Sequence, residues 1–106
     1  MFARSVSFHL KPGRGAEFAQ LIDKDIIPVL RKQKGFQDEL TFVAPGGTDA
    51  VAISVWDLKD NADTYARGAY PGVLKSLAPV VEGTPQVHTY DVSNSTFHKI
   101  AGRPIA

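Results

Sequence analysis

The order in which hydrophobic periodicity changes along this chain limits its fold more than any other feature. Residues 2–10 alternate, with Phe2, Val6, Phe8 and Leu10 on one side and Ala3, Ser5, Ser7 and His9 on the other. Period two marks a strand with unlike faces. Arg4 interrupts the apolar row near the chain end, and Lys11-Pro12-Gly13 breaks the strand. Residues 15–33 switch to helical spacing, where Phe18, Leu21, Ile22, Ile26, Val29 and Leu30 make one stripe. Pro28 lies inside that stripe and predicts a kink between Lys24 and Pro28. Gly35 is the natural stop. Period two then returns in residues 36–44 and 50–56, joined by Pro45-Gly46-Gly47-Thr48-Asp49. That link is turn chemistry, so the pair reads as a hairpin. Within 50–56, Ile53 and Val55 fall on one face, and Ala52, Ser54 and Trp56 on the other.

Asp60 is expected to cap a short helix carrying Ala62, Tyr65, Ala66 and Ala69. Tyr70-Pro71-Gly72 interrupts it. Pro71 suits the first turn of a second piece with Leu74, Leu77 and Val80 or Val81 inside, finished by Pro79 and Gly83. Residues 86–92 form a fourth strand, with His88 and Tyr90 on one face. The resulting order is β-α-β-β-α-β, a ferredoxin-like α+β sandwich. Four antiparallel strands would take the helices on one face. The 106 residues make one domain, residues 1–92, with a tail over 93–106. The second sheet face is assigned Trp56, Tyr90, Leu40 and Phe42, too much apolar surface to leave in water. A twofold homodimer would cover it with one self-complementary patch and close a barrel. The tail is expected to pack on the mate.

A net charge of +1 provides no field to draw in nucleic acid or an anionic membrane. No apolar run approaches the roughly 20 residues of a membrane span, and the first ten residues lack a signal peptide's apolar centre. The absence of cysteine removes disulfides, thiolate nucleophiles and the commonest zinc sites, and fits a cytoplasmic protein. His9, His88 and His98 have no paired metal-ligand spacing, so neither a metal nor another cofactor is expected.

Several residues carry a resemblance at similar spacing. Lys11-Pro12-Gly13 ends the first strand, Pro28 precedes a charged helix end, and Gly35-Phe36 follows. Ser54-Val55-Trp56 closes the hairpin, and Asn61-Ala62 opens the next helix. Over residues 2–92 the chain resembles the antibiotic-biosynthesis-monooxygenase group of the dimeric α/β-barrel superfamily. The resemblance implies a dimer and a cavity. In some members of the group it also implies oxygenation of phenols or quinols without a cofactor. The group's haem-degrading branch uses Asn, Trp and His where this sequence has Val6, Tyr65 and Lys75, so haem degradation is not implied.

A cofactor-free oxygenase needs a base, donors for an oxyanion and a dry aromatic cavity. His88 is the candidate base; its alternative role is a hydrogen-bonded strand histidine at a dimer seam. Trp56, Tyr65, Tyr70 and Tyr90 are candidate lining residues, or plain packing residues. His9 could border the cavity or be solvated beside Lys11. His98 could cap the cavity from the tail, or lie on the surface. Two other functions remain open: a dimeric module that binds a small aromatic ligand without changing it, and a structural dimerisation domain.

Overall fold

Period-two segments become the strands, and those at residues 2–10 and 50–56 bury one row of side chains under the helical stripes. The computed structural model describes residues 1–97. The elements are β1 (Phe2–Leu10), α1 (Gly15–Leu21), a π-helical turn (Ile22–Ile26), α2 (Ile27–Arg31), β2 (Phe36–Val43), β3 (Asp49–Trp56), α3 (Lys59–Arg67), α4 (Tyr70–Leu77) and β4 (Val81–Asp91). The strands form one antiparallel sheet in the order β2-β3-β1-β4. This is the expected β-α-β-β-α-β ferredoxin-like fold. Residues 98–106, and with them the expectations for His98 and for the tail on a mate, lie outside the described residues.

The core lies between the sheet and the helices. Phe2, Val6, Phe8 and Leu10 of β1 meet Phe18, Ile22, Ile26 and Leu30 from the first helical run. Burying a side chain of this size stabilises the fold by about 1.5–3 kcal/mol. The kink at Pro28 takes a specific form. Ile27 N–H reaches back five residues to the Ile22 carbonyl, which makes the widened turn. Pro28 has no N–H to continue an ordinary helical ladder, and it sits at the start of α2, where none is needed.

Three expectations need correction. Asp60 lies inside α3 rather than capping it; the cap position is Leu58, with no side-chain cap. Asp57 ties down this end instead, its Oδ1 accepting from Leu58 N–H at 2.6 Å and from Asn61 Nδ2 at 2.8 Å. Gly83 does not end a helix either. β4 begins at Val81, and Ser7 pairs with Gln86 while His9 pairs with Glu82, so residues 83–85 bulge opposite Phe8. Gly83 (φ 70°) allows that bulge, and Pro85 withholds a donor there, which is why the segment reads as a breaker.

The third correction concerns Trp56. It pairs directly with Phe2, and directly opposed residues share a face. Its indole is therefore in the helix-covered core, 0% exposed, and not on the open face. Ala52 and Ser54 go with it, opposite Val6 and Arg4, whereas Ser5 and Ser7 remain on the open face. The open face does carry Leu40, Phe42 and Tyr90, all exposed.

Gly35 is doubly constrained. Its φ is 80°, and its carbonyl accepts from Asp57 N–H at 2.9 Å. A Cβ there would collide with Asp57 Oδ1 and Asn61 Nδ2 and stand 2.8 Å from Asn61 Cβ. Gly35→Ala is expected to cost about 2–4 kcal/mol, from left-handed backbone strain plus disrupted hydrogen bonds. Urea unfolding measures this; a loss below about 0.5 kcal/mol would mean the corner gives way freely.

Candidate functional site

The helix face of the sheet is largely apolar, and one row across it is polar throughout. At a single register, Thr89, Arg4, Ser54 and Glu39 line up across β4, β1, β3 and β2. Up to the bulky Trp56 at its end, the inner strand β3 puts short side chains, Ala50, Ala52 and Ser54, on this face. A trough therefore runs along β3 between the longer residues of its neighbours. Strands are about 4.8 Å apart, so the backbones of Arg4 and Glu39 are about 10 Å apart across it. Ile22 and Ile26 of the π-helical turn, with Leu30, Tyr65 and Tyr70, close it above. Widened turns of this kind often border functional sites. The cleft has a volume of about 30 Å³, roughly that of one water.

Arg4 dominates the chemistry of the cleft. It is 5% exposed, and charged groups are rarely buried so deeply unless they are partnered. Its guanidinium carbon is 4.4 Å from the Tyr70 ring centroid and 5.3 Å from that of Tyr65. Such cation–π contacts strengthen when desolvated. Among the described residues the ion pairs are His9–Asp49, Arg14–Glu17 and Lys59–Asp63, all on the outside; Arg4 is in none of them. The rings continue as a chain, with Tyr65–Tyr70 at 5.9 Å, Trp56–Tyr65 at 5.1 Å and Phe36–Trp56 at 5.6 Å between centroids. Trp56 Nε1–H donates to Ser54 Oγ at 2.9 Å, which fixes the indole plane.

Burial sets the protonation states. It pushes the Tyr65 hydroxyl up to about 12, against the opposing Arg4 charge. Tyr70 is raised too, by burial, with the Arg4 charge and a hydrogen bond from it opposing. Both phenols are therefore neutral donors at ordinary pH. Glu39 is also raised by burial, opposed by the Thr41 Oγ1–H hydrogen bond to its Oε2 at 2.6 Å. A permanent cation and two neutral hydroxyls around a water-poor trough suit a developing oxyanion.

Tyr65 makes a prediction about alkaline stability. A phenol whose folded pKa is raised binds its proton more tightly when folded. Its contribution is complete below the unfolded value, 10.0, and is lost as pH rises through about 12. The full loss is roughly 2–3 kcal/mol. Urea midpoints taken from about pH 8 upward should fall over this window, and Tyr65→Phe should remove that part of the fall. An identical alkaline decline in both proteins would mean that Tyr65 is not so buried.

The structure brings three of the sequence candidates together and separates the rest. Tyr65 and Tyr70 line the cleft, and Trp56 packs against Tyr65 behind it. His88 pairs with Ser5 and Tyr90 with Ala3, both on the opposite face and exposed. A shared cavity for His88 and Trp56 within one chain is therefore corrected: residues out of phase on a pleated sheet cannot meet. His9 is also on the open side, with Nδ1 2.8 Å from Asp49 Oδ1 and both side chains solvated. A hollow of about 310 Å³ lies beside that pair, larger than the cleft but without a buried charge. Arg4 and Glu39 were not among the sequence candidates. The available signal was a charge in the buried phase of β1, between Phe2 and Val6. Among the described residues, no group of three or more His, Cys, Asp or Glu could hold a metal.

No protein-family model and no curated protein matches the sequence. Solved structures do match it. SnoaB, a cofactor-independent oxygenase from Streptomyces nogalater, superposes with a TM-score of 0.72 at 16% identity, covering 90% of this chain and 95% of that one. A monooxygenase from the gene ActVA-Orf6 of Streptomyces coelicolor, in complex with nanaomycin D, gives 0.72 at 16%, covering 99% and 91%. A Bordetella bronchiseptica protein described as an antibiotic biosynthesis monooxygenase gives 0.72 at 18%, covering 84% and 93%. This chain has the fold of the antibiotic biosynthesis monooxygenases. At these identities the likeness is one of fold. A protein of unknown function from Nitrosomonas europaea is similar too, with a TM-score of 0.75 at 14% identity, covering 91% of this chain and 92% of that one. Among the described residues no helix is long and apolar enough to cross a membrane.

Proposed function

We propose that this protein is a cofactor-independent monooxygenase for a small phenol or quinol, with its site in the cleft below Tyr65 and Tyr70. The observation that carries the reading is the buried Arg4 guanidinium stacked on two neutral phenols. An ionised phenol gives up electrons to oxygen readily, and a fixed cation with hydroxyl donors stabilises that ion. For an anthrone-like substrate, a ring CH2 and O2 become C=O and water, so the substrate supplies all the electrons. The named activities of the two Streptomyces proteins support this reading. In this reading Tyr65 and Tyr70 line the site, Trp56 supports Tyr65 from behind, and His88 takes no part in it.

The reading has a structural consequence. An apolar cavity of about 150 Å³ accommodates benzene, and the cleft measures about 30 Å³. A substrate must therefore displace Tyr70 or the π-helical turn. The small volume favours a second reading, a non-catalytic dimeric binding or structural module. In either case we propose a homodimer through Leu40, Phe42 and Tyr90, whose exposure in one chain supports it.

Oxygen uptake by the metal-free protein across hydroquinones, naphthols and anthrones tests the function. Uptake is expected, and His88→Ala should stay within about twofold, because surface changes away from a site are nearly silent. Loss of uptake in His88→Ala would move the chemistry to a cavity between two sheets. A silent panel with Trp56 fluorescence quenched by a ligand would favour the binding module.

A further inference from the structure

We propose that Glu39 takes the proton from a bound phenol, leaving the oxyanion beside Arg4. The inference rests on the cleft being the phenol site, but not on any reaction with oxygen. Glu39 and Arg4 lie on one register row, separated only by Ser54. Both line the same cleft with Tyr65 and Tyr70. The short Ser54 and Ala52 side chains leave space between them for a hydroxyl, and the ring that carries it enters where Tyr70 or the π-helical turn gives way. Thr41 Oγ1–H holds one carboxylate oxygen at 2.6 Å, so the carboxylate is aimed and its remaining lone pairs are available to a second donor.

The Arg4 charge favours the transfer, against the burial that keeps Tyr65 and Tyr70 protonated. Before it, the negative charge sits on a half-buried carboxylate outside the ion pairs of the described residues. After it, Glu39 is neutral, which burial favours, and the charge is on an oxygen that Arg4 can reach. One O–H bond breaks on the phenol and one forms on the carboxyl, with no change in net charge. The charged and titratable groups around Glu39 are Arg4 on β1, Tyr65 on α3 and Tyr70 on α4, with Arg31 on α2 across a neighbouring hollow. Asp38 adjoins it on β2, facing the other way. His88 could not serve here, since it points from the opposite face.

The test is 2-naphthol binding, followed by absorbance, to the full chain and to Glu39→Gln. Its hydroxyl titrates near the tyrosine value of about 10. In the native protein, bound naphthol should show the naphtholate spectrum near neutral pH. Its affinity should change less than about twofold between pH 7 and pH 9, because the proton stays on Glu39 and none is released. In Glu39→Gln the proton must go to solvent, so affinity should rise about tenfold per pH unit over that window. Glutamine keeps the volume and can still accept from Thr41, so the fold is retained. A neutral naphthol spectrum in the native complex, equal pH slopes in both proteins, or no binding at all would overturn the inference. Naphtholate formation without oxygen uptake would instead overturn the oxygenase reading and leave Glu39 in place.

Discussion

Trp56→Ala should remove about 3–5 kcal/mol of stability, the usual cost of emptying a buried indole site. Trp56 is 0% exposed and touches both Phe36 and Tyr65. Truncation leaves a cavity between β3 and α3 that neither ring can fill without leaving its own packing. It also strips Ser54 Oγ of its indole donor inside the core. Domains of this kind hold only about 5–15 kcal/mol in total, so the variant should unfold at far lower urea. The loss should not depend on protein concentration, because the indole packs within one chain. A small loss that grows on dilution would mean that Trp56 covers the open face of the sheet and packs against a mate.

Arg4→Met should lower turnover about 10²–10³-fold, the effect of removing one preorganised oxyanion donor. Methionine retains most of the aliphatic bulk under Tyr65 and Tyr70 while the charge disappears. Stability should stay the same or rise, because a buried cation pays a desolvation penalty that a thioether does not. This opposition of activity and stability separates a functional arginine from a structural one. Arg4→Lys should recover only part of the rate, since a point charge cannot reproduce the planar fork over a ring. The check is steady-state oxygen uptake with the best substrate of the panel, alongside urea unfolding of the same proteins. Turnover within about threefold of native in Arg4→Met would remove the guanidinium from the mechanism.

The local patterns were legible in the sequence. Alternation in residues 2–10, the hairpin around Gly46-Gly47 and the stripe from Phe18 to Leu30 each depend on neighbours within a few residues. Their order implied the ferredoxin-like topology before any contact was known. Gly35 and Asn61 were visible as part of a family-like spacing, but their reason was not: the glycine admits the Asp57–Asn61 corner, which only the folded chain assembles.

Periodicity states which residues share a face, not which face the helices will cover. Trp56 and His88 were placed together for that reason, and pairing of Trp56 with Phe2 put them on opposite sides. The same pairing made a site from residues far apart in sequence. Arg4, Ser54 and Glu39 meet because three antiparallel strands share one register, and Tyr65 and Tyr70 cover them because α3 and α4 cross that row. Secondary structure follows from backbone geometry and side-chain period, which are local. The site follows from strand register and helix placement, which are settled only when the whole apolar face is buried at once.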